Sequence, residues 1–299
     1  MTVALPTIHE HEPLAHYVAW RIGGPARFFA TATTADELRD LVLWGREQEL
    51  PLFVLGGGSN ILVSDAGFPG LVIRNRAHHH TLERRGDDVR LRIEAGAPMA
   101  GTSRQMAAQG LTGLVWSEGL PGTVGGAIYG NAGCYGGDMA GILHSATVLL
   151  PDGTTAEWSV GQFEYGYRTS VLKAHAAAPT AIVLAAELTL YRDDPVKLGA
   201  EIAVIAAARK AKTPSGSSCG SSFKNPPGDS AGRLLEVAGL KGTQIGGAQV
   251  SSKHANYIVN LGGATAGDVL RLTDLMRERV VQRLGTELEL EVQIVGASA

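Results

Sequence analysis

Residues 119–137, GLPGTVGGAIYGNAGCYGG, decide how this chain is read: eight of the nineteen are glycine and almost nothing carries a formal charge. Glycine costs about 1 kcal/mol against alanine inside a helix. A run this dense is therefore expected not to be helical, but to turn with φ > 0 or to lie directly against something. Backbone amides with no side chains in front of them can converge on an anion as a nest, so a ligand with phosphates is the natural occupant. A flexible linker is the alternative, but linkers favour Ser, Pro and charge over the Val124, Ile128 and Tyr129 found here.

Working outward, the 299 residues suffice for roughly two domains, each able to bury a core. A hydrophobic content of 44% and a net charge of −3 argue against disorder and against a general nucleic-acid surface. Glycine is the outlier, with 39 residues where average usage of ~7% would give about half as many. The N-terminal MTVALPTIHEHEPLAHY has early acids and histidines, no basic region and no long apolar core, so no secretory leader is expected. No apolar run reaches the ~18 residues of a membrane span. Cys134 and Cys219 fit no metal or redox spacing, and a cytoplasmic protein with reduced thiols is expected.

Upstream of the glycine stretch, Ala26 to Ala32 reads as a strand. Thr34-Ala35-Asp36-Glu37 reads as a capping box opening a helix to about Gln48, with Leu38, Leu41 and Val42 on one face. Pro51 to Leu55 reads as a short buried strand, followed by Gly56-Gly57-Gly58-Ser59-Asn60 and another apolar run, Ile61-Leu62-Val63. A Rossmann fingerprint needs strand, glycine loop, then helix; here the loop feeds a strand, which argues against that fold. Further strands are expected at Leu71 to Ile73, Thr81 to Arg84 and Val89 to Ala95. His78, His79 and His80 on an extended strand would point to alternating faces, so they read as solvated. A helix over Pro98 to Gln109, ended by Gly110, precedes the glycine stretch.

Downstream, His144 to Leu150 and Thr154 to Trp158 pair across Pro151-Asp152-Gly153, and Phe163 to Ser170 places Arg168 beside three aromatics. A strand at Ala181 to Tyr191 and a helix from Pro195 to about Lys212 follow. Next come CGSSFKNPPG (Cys219 to Gly228), a helix over Ser230 to Ala238 and a glycine-rich loop at Gly242 to Gly247. Thr265 to Asp268 caps a long amphipathic helix that Gly285 ends. The last strand, Leu288 to Val295, alternates Leu288, Leu290, Val292 and Ile294 against Glu289, Glu291 and Gln293. The best domain boundary lies near 193–195.

Two glycine loops flanked by strands, GGGSNILV and GLPGTVGGAIYGNAGCYG, resemble the flavin-binding module of the vanillyl-alcohol-oxidase-like (PCMH-type) FAD enzymes. In that module the loops hold the FAD pyrophosphate by backbone amides. Within it, YGYRTS, GSSFKNP, AGRLLEVAGLKG…GGAQVSSKHANYIVN and the final LELEV are similar to the UDP-N-acetylenolpyruvoylglucosamine reductases. The motifs run in order from Trp20 to Gly296.

The resemblance implies an α+β fold: a two-subdomain FAD-binding region over residues 1–193 (about 1–74 and 75–193) and a C-terminal α+β substrate-binding domain over 194–299. It implies non-covalent FAD, NADPH as reductant and an enolpyruvyl UDP-sugar reduced to its lactyl ether in the cytoplasm, in peptidoglycan synthesis. No nucleic-acid, membrane or obligatory protein partner is implied. Arg168, permanently charged and planar, takes the family's catalytic arginine position, where it would stabilise an enolate; alone it reads equally as an arginine capping an aromatic cluster.

Ser221 takes the position of the proton donor, with Ser222 and Cys219 its near neighbours. Glu291 takes that of the assisting carboxylate. Leu290 stands where the family usually has proline, which keeps Glu289 open as the acting acid. The flavin side comprises Arg21, Gly56, Gly57, Gly58, Ser59, Asn60, Ile61, Gly122, Thr123, Gly125, Gly126 and Ala127. The substrate side comprises Asn225, Lys253 and His254, with Arg209 and Lys212 as weaker phosphate candidates; as the last turn of a helix these cations also suit its dipole. The short connection from Arg168 to Ser221 resembles the shorter, second type of the family. Two rivals stay open: another FAD-dependent oxidase of the superfamily, and a flavin-free nucleotide-binding module.

Overall fold

The computed structural model describes residues 5–174 and 181–296; the first four residues of the N-terminal stretch considered for a leader lie outside these. The chain divides into two compact units. One comprises Met1–Ile8, Ala30–Gly57 and Ile73–Arg209, the other His9–Phe29, Gly58–Val72 and Lys210–Ala299. Each mixes helices and strands, as the α+β reading requires. A four-stranded sheet orders Ile8–Pro13, Pro25–Ala32, Phe68–Asn75 and Leu52–Leu55. Leu55 alone of its last strand is fully buried, so the strand read as buried is half-covered.

The first unit is built on an antiparallel sheet ordered Thr155–Ser159, Leu143–Leu149, Ile182–Arg192, Asp88–Glu94, His80–Arg85, with Leu111–Thr112 added against Ile182–Arg192. The central strand needs no charge on its buried face. Val183, Ala186, Leu188 and Leu190 pack with Leu91, Ile93, Ala146 and Val148 in one core. His78 and His79 are exposed, and among the described residues no cluster of His, Cys, Asp or Glu could hold a metal ion. Helix α1 (Ala35–Glu47) starts where the periodicity predicts, with the Thr34 hydroxyl accepting from the Glu37 amide and Leu38, Leu41 and Val42 buried. The Glu37 carboxylate does not close the expected box on Thr34. It accepts from the amide and the hydroxyl of Thr33, both at 2.7 Å, and these bonds lower its pKa. Helix α2 (Met99–Ala108) ends before Gly110, whose φ of 70° only glycine adopts cheaply.

The glycine stretch corrects one expectation: Val124–Gly130 forms a short helix, α3. Thr123 caps it, its hydroxyl accepting from the Gly126 amide at 3.4 Å, and Asn131 at φ 44° closes it in the left-handed region. Val124, Ala127 and Ile128 are buried. Burying each of the larger two is worth roughly 1.5–3 kcal/mol, enough to offset the glycine penalty of about 1 kcal/mol per residue. Gly125 is required by packing, because a Cβ there would lie 2.9 Å from that of Ala95. Beyond α3, Gly133–Cys134 pairs with Gly137–Asp138 across Tyr135 and Gly136 at φ 49° and 84°, the geometry of a tight primed hairpin turn. A one-turn helix, α4 (Val171–Ala174), and the long α5 (Pro195–Lys212) follow.

In the second unit, Ser230 caps α6 (Ala231–Val237), and Thr265 and Asp268 close a complete capping box on α7 (Ala266–Leu284), as predicted. The Asp65 carboxylate adds two bonds, accepting from the amides of Ala266 and Gly267 at 2.8 and 3.0 Å. A carboxylate there complements the helix dipole. We expect Thr265→Ala to cost about 1 kcal/mol, seen as a lower midpoint in reversible thermal unfolding.

The core of this unit gathers Trp20, Phe223, Leu234, Leu235, Ile258, Leu272, Met276 and Leu288. The region Gly242 to Gly247, read as a loop, contains the strand Gln244–Ile245, which pairs with Ala248–Val250 and through it with Ile258–Asn260. The strand read over Leu288 to Val295 shrinks to Gln293–Val295. Its residues divide between two partners: Leu290 bridges Phe223, whereas Gln293–Val295 run parallel to Ile61–Val63. The alternation breaks at that change, leaving Ile294 exposed and Val295 buried.

Candidate active site

In the first unit the two glycine loops touch. A Cβ on Gly56 would lie 2.5 Å from the Thr123 hydroxyl, and one on Gly57 would lie 2.6 Å from the Gly122 Cα. Both contacts are closer than real atoms allow, so glycine at 56 and 57 is what lets the strand end meet the mouth of α3. Gly57 and Gly126 remain exposed, presenting backbone with no side chain in front of it. Such a surface is what a pyrophosphate needs, and the residues fit the diphosphate of a dinucleotide.

Arg168 stands on a loop tied to the same helix. The Asn131 amide donates to Gly166 O at 3.1 Å, and the Ser170 hydroxyl donates to Tyr129 O at 2.6 Å. Lys173 Nζ donates to the Arg168 carbonyl at 3.1 Å, and the guanidinium lies 5.6 Å from the Tyr167 ring centroid. Arg168 itself adopts φ 57°, a left-handed conformation that costs a non-glycine residue of order 1–3 kcal/mol and concentrates at functional sites. Arg209 also falls in this unit. Its Nη2 lies 2.9 Å from Cys134 Sγ, and its guanidinium sits over the Tyr135 ring.

In the second unit Gly58 takes φ 61°, and a Cβ there would strike the Tyr17 carbonyl at 2.3 Å. Asn60 continues the loop, its side-chain amide donating to Glu291 O at 3.1 Å while its own carbonyl accepts from the Gln293 amide. Ser59 is half-buried and Ile61 buried. Arg21 is exposed at φ 56°.

The segment Ser221-Ser222-Phe223 is held on both sides. Ser221 bridges Tyr257 and Phe223 bridges Leu290, while the Ser222 amide donates to Asn256 O and the Ser222 carbonyl accepts from the Glu291 amide at 2.9 Å. Ser221, Glu291 and Asn60 are thereby brought into one hydrogen-bonded patch. The neighbours that could be confused with Ser221 are placed otherwise. Ser222 is fully buried, its hydroxyl lacking a partner. Cys219 is buried, its thiol donating to Ile61 O and pushed by that burial up to about 12. Glu289 is exposed and ion-paired to Lys224 Nζ at 2.5 Å.

The substrate candidates of this unit are differently engaged. Asn225 Oδ1 accepts from the Ala231 amide at 3.1 Å, so it stabilises the start of α6. Lys253 Nζ donates to the carbonyls of Lys210 and Thr213 at 2.9 and 2.8 Å, covering the end of α5. The half-buried His254 ring packs at 4.9 Å on Tyr257, and burial, with Lys241 behind it, holds its pKa below the usual value. Lys212 is exposed at the end of α5. Asn131 and Asn256, which position the Arg168 loop and the Ser221 segment, are absent from the sequence-based set. Their only signal is a polar amide inside an otherwise apolar or glycine run.

The exposed glycine backbone at the mouth of α3 is a cradle of the kind a dinucleotide needs, and a family model described as an FAD binding domain matches residues 26–159. A second, the C-terminal domain of UDP-N-acetylenolpyruvoylglucosamine reductase, matches residues 211–295. The chain is 53% identical to the UDP-N-acetylenolpyruvoylglucosamine reductase of Chloroflexus aurantiacus, across 99% of this chain and all of that protein. To the enzyme of that name from Rubrobacter xylanophilus it is 44% identical, across 97% and 96%. The crystal structure of UDP-N-acetylenolpyruvylglucosamine reductase from Thermus caldophilus aligns with a TM-score of 0.80 at 37% identity, covering 97% of this chain and 98% of that one. The chain belongs to the UDP-N-acetylenolpyruvoylglucosamine reductase family.

Proposed function

We propose that this protein uses FAD and NADPH to reduce UDP-N-acetylglucosamine enolpyruvate to UDP-N-acetylmuramate in peptidoglycan synthesis, with Arg168, Ser221 and Glu291 as its catalytic residues. The carrying observation is the patch in which backbone bonds and the Asn60 side-chain amide unite the Ser221 segment, Glu291 and the flavin loop's Asn60. Bound FAD supplies the hydride, taken from NADPH, that the enolpyruvyl double bond accepts.

The chain's residues handle the charge and the proton. Arg168 stabilises the enolate that develops on the substrate carboxylate; a donor of this kind is worth roughly 10²–10³ in rate. Ser221 delivers its hydroxyl proton to the other alkene carbon. A serine hydroxyl is a weak acid, and the adjoining Glu291 is the group that assists it and stabilises the intermediate. That reading is supported by the burial of Ser222 and Cys219 and by the pairing of Glu289 with Lys224. Backbone amides from the loops Gly56–Ile61 and Gly122–Ala127, with Arg21, hold the flavin nucleotide.

For the substrate we assign Asn225, Lys253 and His254, with Arg209 and Lys212 toward its phosphates. Lys253 must then exchange its carbonyl partners for phosphate or hold α5 in place beside it. Residues 1–193 serve the flavin and 194–299 the sugar nucleotide. Among the described residues no helix is long and apolar enough to cross a membrane. The NADPH and UDP-sugar it consumes place its work in the cytoplasm.

The test is spectroscopic. We expect the purified protein to be yellow, to bleach with NADPH under anaerobic conditions, and to recover its colour on adding UDP-N-acetylglucosamine enolpyruvate. Bleaching without recovery would remove the substrate assignment. Recovery by air alone, at a comparable rate, would indicate an oxidase.

A further inference from the structure

We infer that Asn256 is a positioning residue for the proton-transfer step, acting through Ser221; the inference rests on the role given to Ser221 above. Asn256 is 2% exposed. Its side-chain amide grips one residue at two points: Oδ1 accepts from the Phe223 amide at 2.9 Å, and Nδ2 donates to the Phe223 carbonyl at 2.9 Å. The Asn256 main chain adds a third bond, its carbonyl accepting from the Ser222 amide at 2.8 Å. The side chain therefore does what a neighbouring strand would do, satisfying both backbone groups of Phe223 where the bridge to Tyr257 at Ser221 has ended. The Asn256 backbone N–H donates to His254 Nδ1 at 3.2 Å.

An amide is suited to this place. It presents one acceptor and one donor in a plane, matching the N–H and C=O of a single residue, and it carries no charge into a buried site. On the opposite side the same segment is fixed by Glu291 N–H to Ser222 O and by Lys224 N–H to Glu289 O at 2.9 Å. Ser221 is thus delivered by a backbone gripped from two sides; the far side is held by main-chain bonds and the exposed Lys224–Glu289 ion pair, and the buried grip on Phe223 depends on the Asn256 side chain. Releasing it frees the segment without removing any group that touches substrate. Rate responds steeply to such displacement, since a 1 Å misplacement can cost on the order of 10²-fold.

The experiment follows the two half-reactions of the FAD-loaded enzyme by stopped-flow absorbance. The reductant is NADPH, the oxidant UDP-N-acetylglucosamine enolpyruvate, and the set is wild type, Asn256→Ala, Asn256→Asp, Ser221→Ala and the Ser221→Ala/Asn256→Ala double variant. We expect Asn256→Ala to slow reoxidation by substrate roughly 10–100-fold and leave reduction by NADPH within about twofold. Asn256→Asp retains the acceptor, but when ionised it turns a buried carboxylate oxygen on the Phe223 carbonyl, so reoxidation at least as slow as in Asn256→Ala is expected at neutral pH. Protonation at lower pH supplies the missing donor and should recover part of the rate relative to wild type, a readout that carries the test should the alanine variant not fold. The double variant should be no slower than Ser221→Ala alone, because a residue acting only through Ser221 has nothing left to position.

Multiplying effects in the double variant, equal slowing of both half-reactions, or unchanged reoxidation in both Asn256 variants would each overturn the inference while leaving Ser221's role intact. Normal reoxidation in Ser221→Ala would instead remove the reading on which the inference rests, and the inference with it.

Discussion

Replacing Ser221 by alanine is expected to lower the rate of flavin reoxidation by the enolpyruvyl substrate roughly 10²–10⁴-fold, the usual worth of a positioned general acid, while reduction by NADPH proceeds at its normal rate. The asymmetry follows from the chemistry assigned to the residue. Its proton is needed only when the substrate carbon accepts it, and no such transfer occurs when NADPH is the donor. Ser221 is also a mild site to alter. It is half-buried, and its backbone bridge to Tyr257 survives the loss of a hydroxyl. The neighbouring Ser222→Ala provides the contrast. It removes a fully buried hydroxyl that has no partner, and leaving such a group unsatisfied costs roughly 1–3 kcal/mol. That variant should keep its activity and gain stability. Stopped-flow traces of both variants, with a melting curve for each, separate the two serines; a Ser221→Ala enzyme with unchanged reoxidation would strip that residue of its role.

An effect of similar size is expected at Gly57, in binding instead of rate. A methyl group there would meet the backbone of Gly122, with Cα at 2.6 Å and N at 3.1 Å, and backbone cannot swing aside as a side chain tip would. The two loops must separate, and the amides proposed to hold the pyrophosphate separate with them. We expect Gly57→Ala to be purified largely without flavin and to bind added FAD at least about 100-fold more weakly, since several charge-assisted bonds of roughly 1.5–3 kcal/mol each lose their geometry together. Fluorescence titration with FAD reads this directly. Gly199→Ala serves as control for the general effect of a methyl group at a glycine, because nothing lies within 4 Å of its notional Cβ and its backbone is not left-handed. Equal FAD affinity in wild type and Gly57→Ala would show that contact between the loops is not what shapes the cradle.

Much of this architecture is legible in the residues, for reasons that differ by element. The Thr265 box and Gly285 are local signals, complete within a few positions, and α7 begins and ends on them. Glycine density at 119–137 correctly marks close approach, as Gly122 and Gly125 demonstrate, but its implication against helix fails at Val124–Gly130. Propensity measures a helix in solvent, and here three buried apolar side chains and the Thr123 cap decide the outcome. The run after Leu288 misleads in another way: alternation predicts one strand, yet Leu290 and Ile294 answer to different neighbours. Asn256 and Asn131 could not be singled out, because an asparagine that bonds to backbone thirty-odd residues away leaves no local pattern. Lys253 looks like any surface cation until the carbonyls of Lys210 and Thr213 are seen around its amine.

The second unit also has a consequence for synthesis. Trp20 donates from its indole to Ile258 O, 238 positions further on, and Ile61–Val63 find their strand partner only in Gln293–Val295. At a ribosomal pace of about 5–20 residues per second, the Gly58–Val63 segment waits on the order of ten to fifty seconds for the residues that cover it. Meanwhile Ile73–Arg209, contiguous in the chain, can already collapse. During that interval the apolar Ile61-Leu62-Val63 run is open to any passing strand edge or chaperone. Nascent chains stalled just before residue 290 should therefore be far more sensitive to added protease around residues 58–72 than the finished protein.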